Sequence, residues 1–226
     1  MPTPREEMQV VVRRLERLEV PFAFVGGAVM WTLVDHPELT QFRRTKDVDV
    51  VVAVVTYNQY AALEERLRKD GFQHDATPGA PICRWIVDGC LVDIMPQYPA
   101  NLGMNTRWFP EVISLAISKD LGDGCSAKVV SPPLFLATKL EAFKDRGKSD
   151  YYASHDLEDI VTLVDGRAAI VQDVVSVEAN IRGFISGEFA RITIHPDFSD
   201  ALHGHMFERD RVPLVRSRFT TIAGLS

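Results

Sequence analysis

The stretch DVDVVVAVV, residues 47–55, restricts the fold more than any other part of the chain. Val50, Val51 and Val52 are apolar on both faces of an extended segment, as in a strand near the centre of a sheet covered on both sides. At its head Asp47 and Asp49 occupy alternate positions, so an extended backbone aims both carboxylates at one face. Two such charges about 4 Å apart repel by roughly 4 kcal/mol near a protein surface. Either this strand end stands in water, or a cation belongs there.

The flanking sequence supplies the rest of a mixed α/β unit. Residues 4–19 carry apolar positions at helical spacing, and VPFAFVGGAVMWTLV reads as a strand, a Gly-Gly turn and a helical segment. YNQYAALEERLRKD is a helix with Gly71 in the C-cap role. ICRWIVDGCLVDIMP reads as a hairpin turning at Asp88-Gly89. A second strand pair is expected around EVISLAIS and AKVVS, joined at Asp123-Gly124. After Pro132-Pro133 three segments carry helical periodicity, while RVPLVRSRFTTIAGLS fits strand and helix equally. The expectation is an α+β fold: an α/β domain over residues 1–131, then a mostly helical domain over 132–226.

Three features of the first half carry chemistry. Gly26-Gly27 ends a strand, where a glycine turn lets backbone N–H groups approach a phosphate, although most glycine pairs only make turns. Asp47 and Asp49 are the second. The third is Asp93, inside the apolar run CLVDIMP, where an unpaired carboxylate would cost several kcal/mol to bury. Asp93 is either a solvent-facing hairpin residue or a third ligand brought beside the first two by strand pairing. Three hard carboxylates suit Mg²⁺, which binds through a few carboxylates together with substrate phosphates. The pairs His203/His205 and Tyr151/Tyr152, and the C-terminal arginines 209, 211, 216 and 218, are read as surface, core and weak RNA-contact candidates respectively.

A glycine pair before a helix, Arg43-x-Thr45-x-Asp47-x-Asp49 and a later strand aspartate together resemble the nucleotidyltransferase superfamily with the DNA polymerase β-type palm. TKLEAFKDRGKSDYYASHDLEDI is similar to the helical motifs of the AbiEii-type toxin nucleotidyltransferases. The resemblance covers about residues 20–167. It departs at Ala28, where many members have serine, so a hydroxyl contact to phosphate is lost while backbone N–H contacts remain. It implies a nucleotidyltransferase-type mixed sheet flanked by helices, and a metal-dependent transfer of an NMP from an NTP to an acceptor hydroxyl. Asp47, Asp49 and Asp93 would hold Mg²⁺ or Mn²⁺. Gly26, Gly27, Arg43, Thr45, Lys139 and Arg146 would meet the nucleotide, and Lys139 would also serve catalysis. Asp156 and Asp159 share a helix face and would support Lys139 or simply favour a helix start.

In that family the acceptor is expected to be RNA, a tRNA end for instance, with an antitoxin protein as partner. An aminoglycoside-type small-molecule enzyme is the alternative, and a silent nucleotide-binding regulatory module is a third. A net charge of −6 argues against a generic nucleic-acid coat. Three cysteines without CxxC spacing read as reduced thiols, and the charged N-terminal region is unlike a signal peptide, so a cytoplasmic protein with no membrane contact is expected.

Overall fold

The computed structural model describes residues 2–43, 45–98, 107–145 and 150–225. Its described residues group into two compact units. One comprises Met1–Val29 with Arg44–Ser131, the other Met30–Arg43 with Pro132–Ser226.

The first unit opens with helix α1 (Pro4–Leu15), whose start is closed by a reciprocal cap between Thr3 and Glu6. Strand β1 (Phe22–Val25) leads through the glycine pair into a 3-10 turn over Gly27–Val29; the four-residue helix α2 (Met30–Leu33) that follows in the chain belongs to the second unit. Strand β2 (Val48–Val52) is the expected valine strand, and helix α3 (Tyr57–Lys69) follows, capped by Thr56 and Gln59. Then come β3 (Gln73–His74), β4 (Arg84–Val87) and β5 (Cys90–Pro96). Helix α4 (Phe109–Ser114), β6 (Ile117–Gly122) and β7 (Cys125–Val129) complete the unit.

The seven strands form one sheet in the order β3-β4-β5-β2-β1-β7-β6. β2 lies in the middle, antiparallel to β1 and parallel to β5. Val50 and Val51 are fully buried, as a strand covered on both faces requires. β4 and β5 form the hairpin at Asp88-Gly89, where both residues have positive φ (47° and 82°), the backbone of a tight two-residue turn. One expected strand is corrected. Glu111–Ser114 of EVISLAIS belong to helix α4, because Pro110 sits in its first turn; only Ile117 onward is strand.

The second unit holds α5 (Pro132–Asp145), α6 (His155–Gly166), α7 (Ile170–Ser176), α8 (Ala179–Ile194), α9 (Phe198–His205) and α10 (Val212–Ala223). The ambiguous tail is α10: Pro213 starts it, and Val212, Val215, Phe219 and Ile222 bury at helical spacing. Phe219 packs on Phe189 and Phe198, with ring centroids 4.7 and 5.1 Å away. Residues 30–43 group here rather than with the first 131 residues. Asp35 N donates to the Gly166 carbonyl at 3.0 Å, Arg167 donates to the Leu33 carbonyl at 3.1 Å, and Gly166 admits Val34 so closely that a Cβ would meet it at 2.7 Å. Among the described residues no helix is long and apolar enough to cross a membrane.

The cysteines are buried, and burial raises all three thiols. Cys83 is pushed up to about 12, first by burial and then by the charge of Asp93. At pH 8 the native protein should therefore react with an aromatic disulfide reagent at least about tenfold more slowly than the denatured chain. Denaturation should release three thiols, and fast native labelling of any one would contradict this packing.

Candidate active site

The acids of the first unit converge through strand register. In the parallel β2–β5 pair, Asp49 stands directly beside Asp93, so both carboxylates leave the same face of the sheet. Asp47 sits two residues before Asp49, just ahead of β2. Asp93 is buried (7% exposed) and therefore needs a partner.

That partner is Arg84. The β4–β5 register sets Arg84 opposite Asp93. Its Nε donates to Asp93 Oδ1 at 2.7 Å and its Nη2 to Asp93 Oδ2 at 2.8 Å, a bidentate pair. The same Nη2 also donates to Asp47 Oδ2. The hydrogen bonds to Asp93, with the charges of Asp93, Asp47 and Asp49, raise the guanidinium above its already high ordinary value, against the opposing effect of burial.

Gly26 adjoins this cluster. It has φ +68°, and a Cβ there would overlap the Asp49 carboxylate. Only glycine gives the backbone this approach. Gly27 begins the 3-10 turn that follows. Among the described residues, Thr45 Oγ1 is buried without a hydrogen-bond partner.

A second charged cluster lies wholly in the helical unit. Lys139 on α5 is buried, with Nζ 3.1 Å from Asp156 Oδ1 and 2.5 Å from Asp159 Oδ2 on α6. Arg43 Nη2 reaches Asp159 at 3.7 Å. Asp156 and Asp159 thus flank Lys139, and Asp156 also occupies the first turn of α6. Arg146 lies outside the described residues.

Four of the remaining candidates, His205, Tyr151, Arg211 and Arg218, are engaged within the second unit. His205 Nε2 lies 2.7 Å from the Tyr151 carbonyl, and Tyr151 stacks on His195 at 4.1 Å. Arg211 pairs with Asp165 at 2.7 Å, and Arg218 donates to the Val164 and Asp165 carbonyls at the end of α6. These two arginines close a helix end.

The donor set Asp47, Asp49 and Asp93 fits a hard divalent ion in kind and in facing. As the side chains stand, Arg84 holds Asp47 and Asp93, and among the described residues no group of three or more His, Cys, Asp or Glu is arranged to hold a metal. Arg84 was not singled out from the sequence. Its signal was the Asp88-Gly89 turn: pairing Val87 with Cys90 and counting outward brings Arg84 to Asp93.

No protein-family model matches the chain, and no curated protein matches it. An antigenic nucleotidyltransferase-like protein from Paracoccidioides brasiliensis has a similar structure, with 19% identity and a TM-score of 0.50 over 89% of this chain and 92% of that one. The antibiotic-resistance factor ANT(2'')-Ia is 12% identical, with a TM-score of 0.45 over 83% of this chain and 91% of its own. Its complex with adenylyl-2''-tobramycin gives 12% and 0.44, over 83% and 97%. The first of these likenesses shows the fold alone: α+β and nucleotidyltransferase-like.

Two expectations follow from the geometry. Gly71→Ala places a side chain at φ +89° in open space, whereas Gly26→Ala adds the overlap with Asp49 to a similar backbone strain. Gly71→Ala should cost about 1 kcal/mol and Gly26→Ala at least about twice that in urea unfolding; equal costs would mean that the Asp49 carboxylate yields freely. Lys139→Met should lose about 3–5 kcal/mol by the same measurement, because two buried carboxylates lose their countercharge.

Proposed function

We propose that the protein is a metal-dependent nucleotidyltransferase that moves an NMP from an NTP to an acceptor hydroxyl. The observation that carries the reading is the register pairing of Asp49 with Asp93, with Asp47 tied into the same cluster by Arg84. A sheet has little structural reason to line up two carboxylates on adjacent strands, since that arrangement is repulsive. The motif resemblance around Arg43, Thr45, Asp47 and Asp49 supports the same reading.

In the reaction the acceptor oxygen bonds to the α-phosphorus, the bond to the β-phosphate oxygen breaks, and pyrophosphate leaves with the electron pair. Asp47, Asp49 and Asp93 would hold Mg²⁺ or Mn²⁺, which when bound supplies charge neutralisation to the triphosphate and lowers the pKa of the acceptor hydroxyl. Asp93 is the base proposed to take the hydroxyl proton. The backbone around Gly26 and Gly27 offers N–H donors to phosphate oxygens without an intervening side chain. Thr45 Oγ1, buried and without a hydrogen-bond partner among the described residues, is a further donor for the nucleotide. Lys139 and Arg43 pair with Asp156 and Asp159 within the helical unit.

The toxin-type resemblance supports RNA as the acceptor and an antitoxin protein as partner. Incubation with each α-labelled NTP, Mg²⁺ and either total RNA or a panel of aminoglycosides tests both the reaction and the acceptor. Label should move to RNA, and Asp49→Asn should fold yet lower transfer about a hundredfold or more, the equivalent of about 3 kcal/mol of barrier. Label on the aminoglycosides would replace RNA as acceptor. Wild-type turnover in Asp49→Asn would end the carboxylate mechanism.

A further inference from the structure

Arg84 meets two of the three acids on which the proposed chemistry depends, and it does so as a built part of the sheet. The hairpin register fixes its backbone opposite Asp93, and its side chain is only 18% exposed. Both Asp93 oxygens and one Asp47 oxygen accept from it. A divalent ion needs those same carboxylate oxygens, and ion and guanidinium would repel one another at such range. The cluster therefore cannot keep the full set of Arg84 hydrogen bonds while it holds a metal.

We propose that Arg84 is a resident countercation of the acid cluster, and that a divalent ion binds only by displacing it. This rests on the nucleotidyltransferase reading above. Arg84 is then a positioning residue that sets metal affinity. With the guanidinium in place, one positive charge already offsets Asp93 and Asp47, so the protein alone attracts a metal weakly. Release of Arg84 restores the full field of the acids. A static clasp between β4 and β5 would share this geometry, but its removal would lower stability without improving metal binding.

The full-length wild type, Arg84→Met and Arg84→Lys are compared in Mn²⁺ titrations without nucleotide, with free Mn²⁺ read by electron paramagnetic resonance. Arg84→Met should bind Mn²⁺ about ten- to a hundredfold more tightly than wild type, since one competing charge has gone. Arg84→Lys should fall between, because an ammonium keeps the charge without the fork. In wild type labelled with ¹⁵N-arginine, the Arg84 Nε–H resonance should be protected without metal, and Mg²⁺ should shift it and speed its exchange. That measurement tests the proposal even where Arg84→Met fails to fold. Equal or weaker Mn²⁺ binding by Arg84→Met, or an Arg84 signal unmoved at saturating Mg²⁺, overturns the displacement while leaving the nucleotidyltransferase reading intact. Absence of Mn²⁺ binding in all three proteins overturns both.

Discussion

Like charges on neighbouring strands must be compensated, and the first unit is organised around that constraint. Asp49 and Asp93 stand side by side because β2 and β5 run parallel in one register, and Asp47 joins them from the strand's head. Three carboxylates at such range would repel by several kcal/mol in partly buried surroundings. Arg84 relieves this from the next strand. The burial of Asp93 is tolerable only because β4 hairpins back at Asp88-Gly89 and brings the guanidinium across from it. A one-residue slip of that hairpin would turn Arg84 to the other face and leave Asp93 unpaired.

The helical unit answers the same problem in reverse. There a lysine is buried, and Asp156 and Asp159, three apart on α6, meet it from one helix face. Well-packed apolar residues commonly match or exceed the stability of such buried ion clusters, so their presence is weak evidence of a stability role. The two clusters differ in what the cation meets: Lys139 and Arg43 share Asp156 and Asp159, whereas the single guanidinium of Arg84 serves both Asp93 and Asp47.

Much of this was legible in the sequence where the local pattern was strong. The valine strand, the Asp88-Gly89 turn, the helical second half and the alternate aspartates follow from periods of 2 and 3.6 and from turn chemistry. Asp93 could be picked out because a carboxylate in an apolar run demands an explanation. Arg84 was missed because an arginine beside Trp85 at a strand start is unremarkable until hairpin pairing is counted residue by residue. Glu111–Ser114 read as strand because Val112 and Ile113 favour extended backbone, although Pro110 favours the start of a helix. The grouping of residues 30–43 with the helical unit was not readable, since it depends on Gly166 admitting Val34 and on backbone hydrogen bonds to a segment far along the chain.

The identity of the residue at position 84 is itself informative. A lysine would bring the same charge as a single compact ammonium, and no fixed direction would hold both oxygens of Asp93. Arginine's planar fork takes Asp93 with two parallel bonds and has donor capacity left for Asp47. It therefore fixes where those two carboxylates point as well as neutralising them. Guanidinium is also more weakly hydrated than ammonium, so moving it between a half-buried pair and water involves a smaller change in solvation. A cation suited to being held in register and then let go is better built from arginine than from lysine.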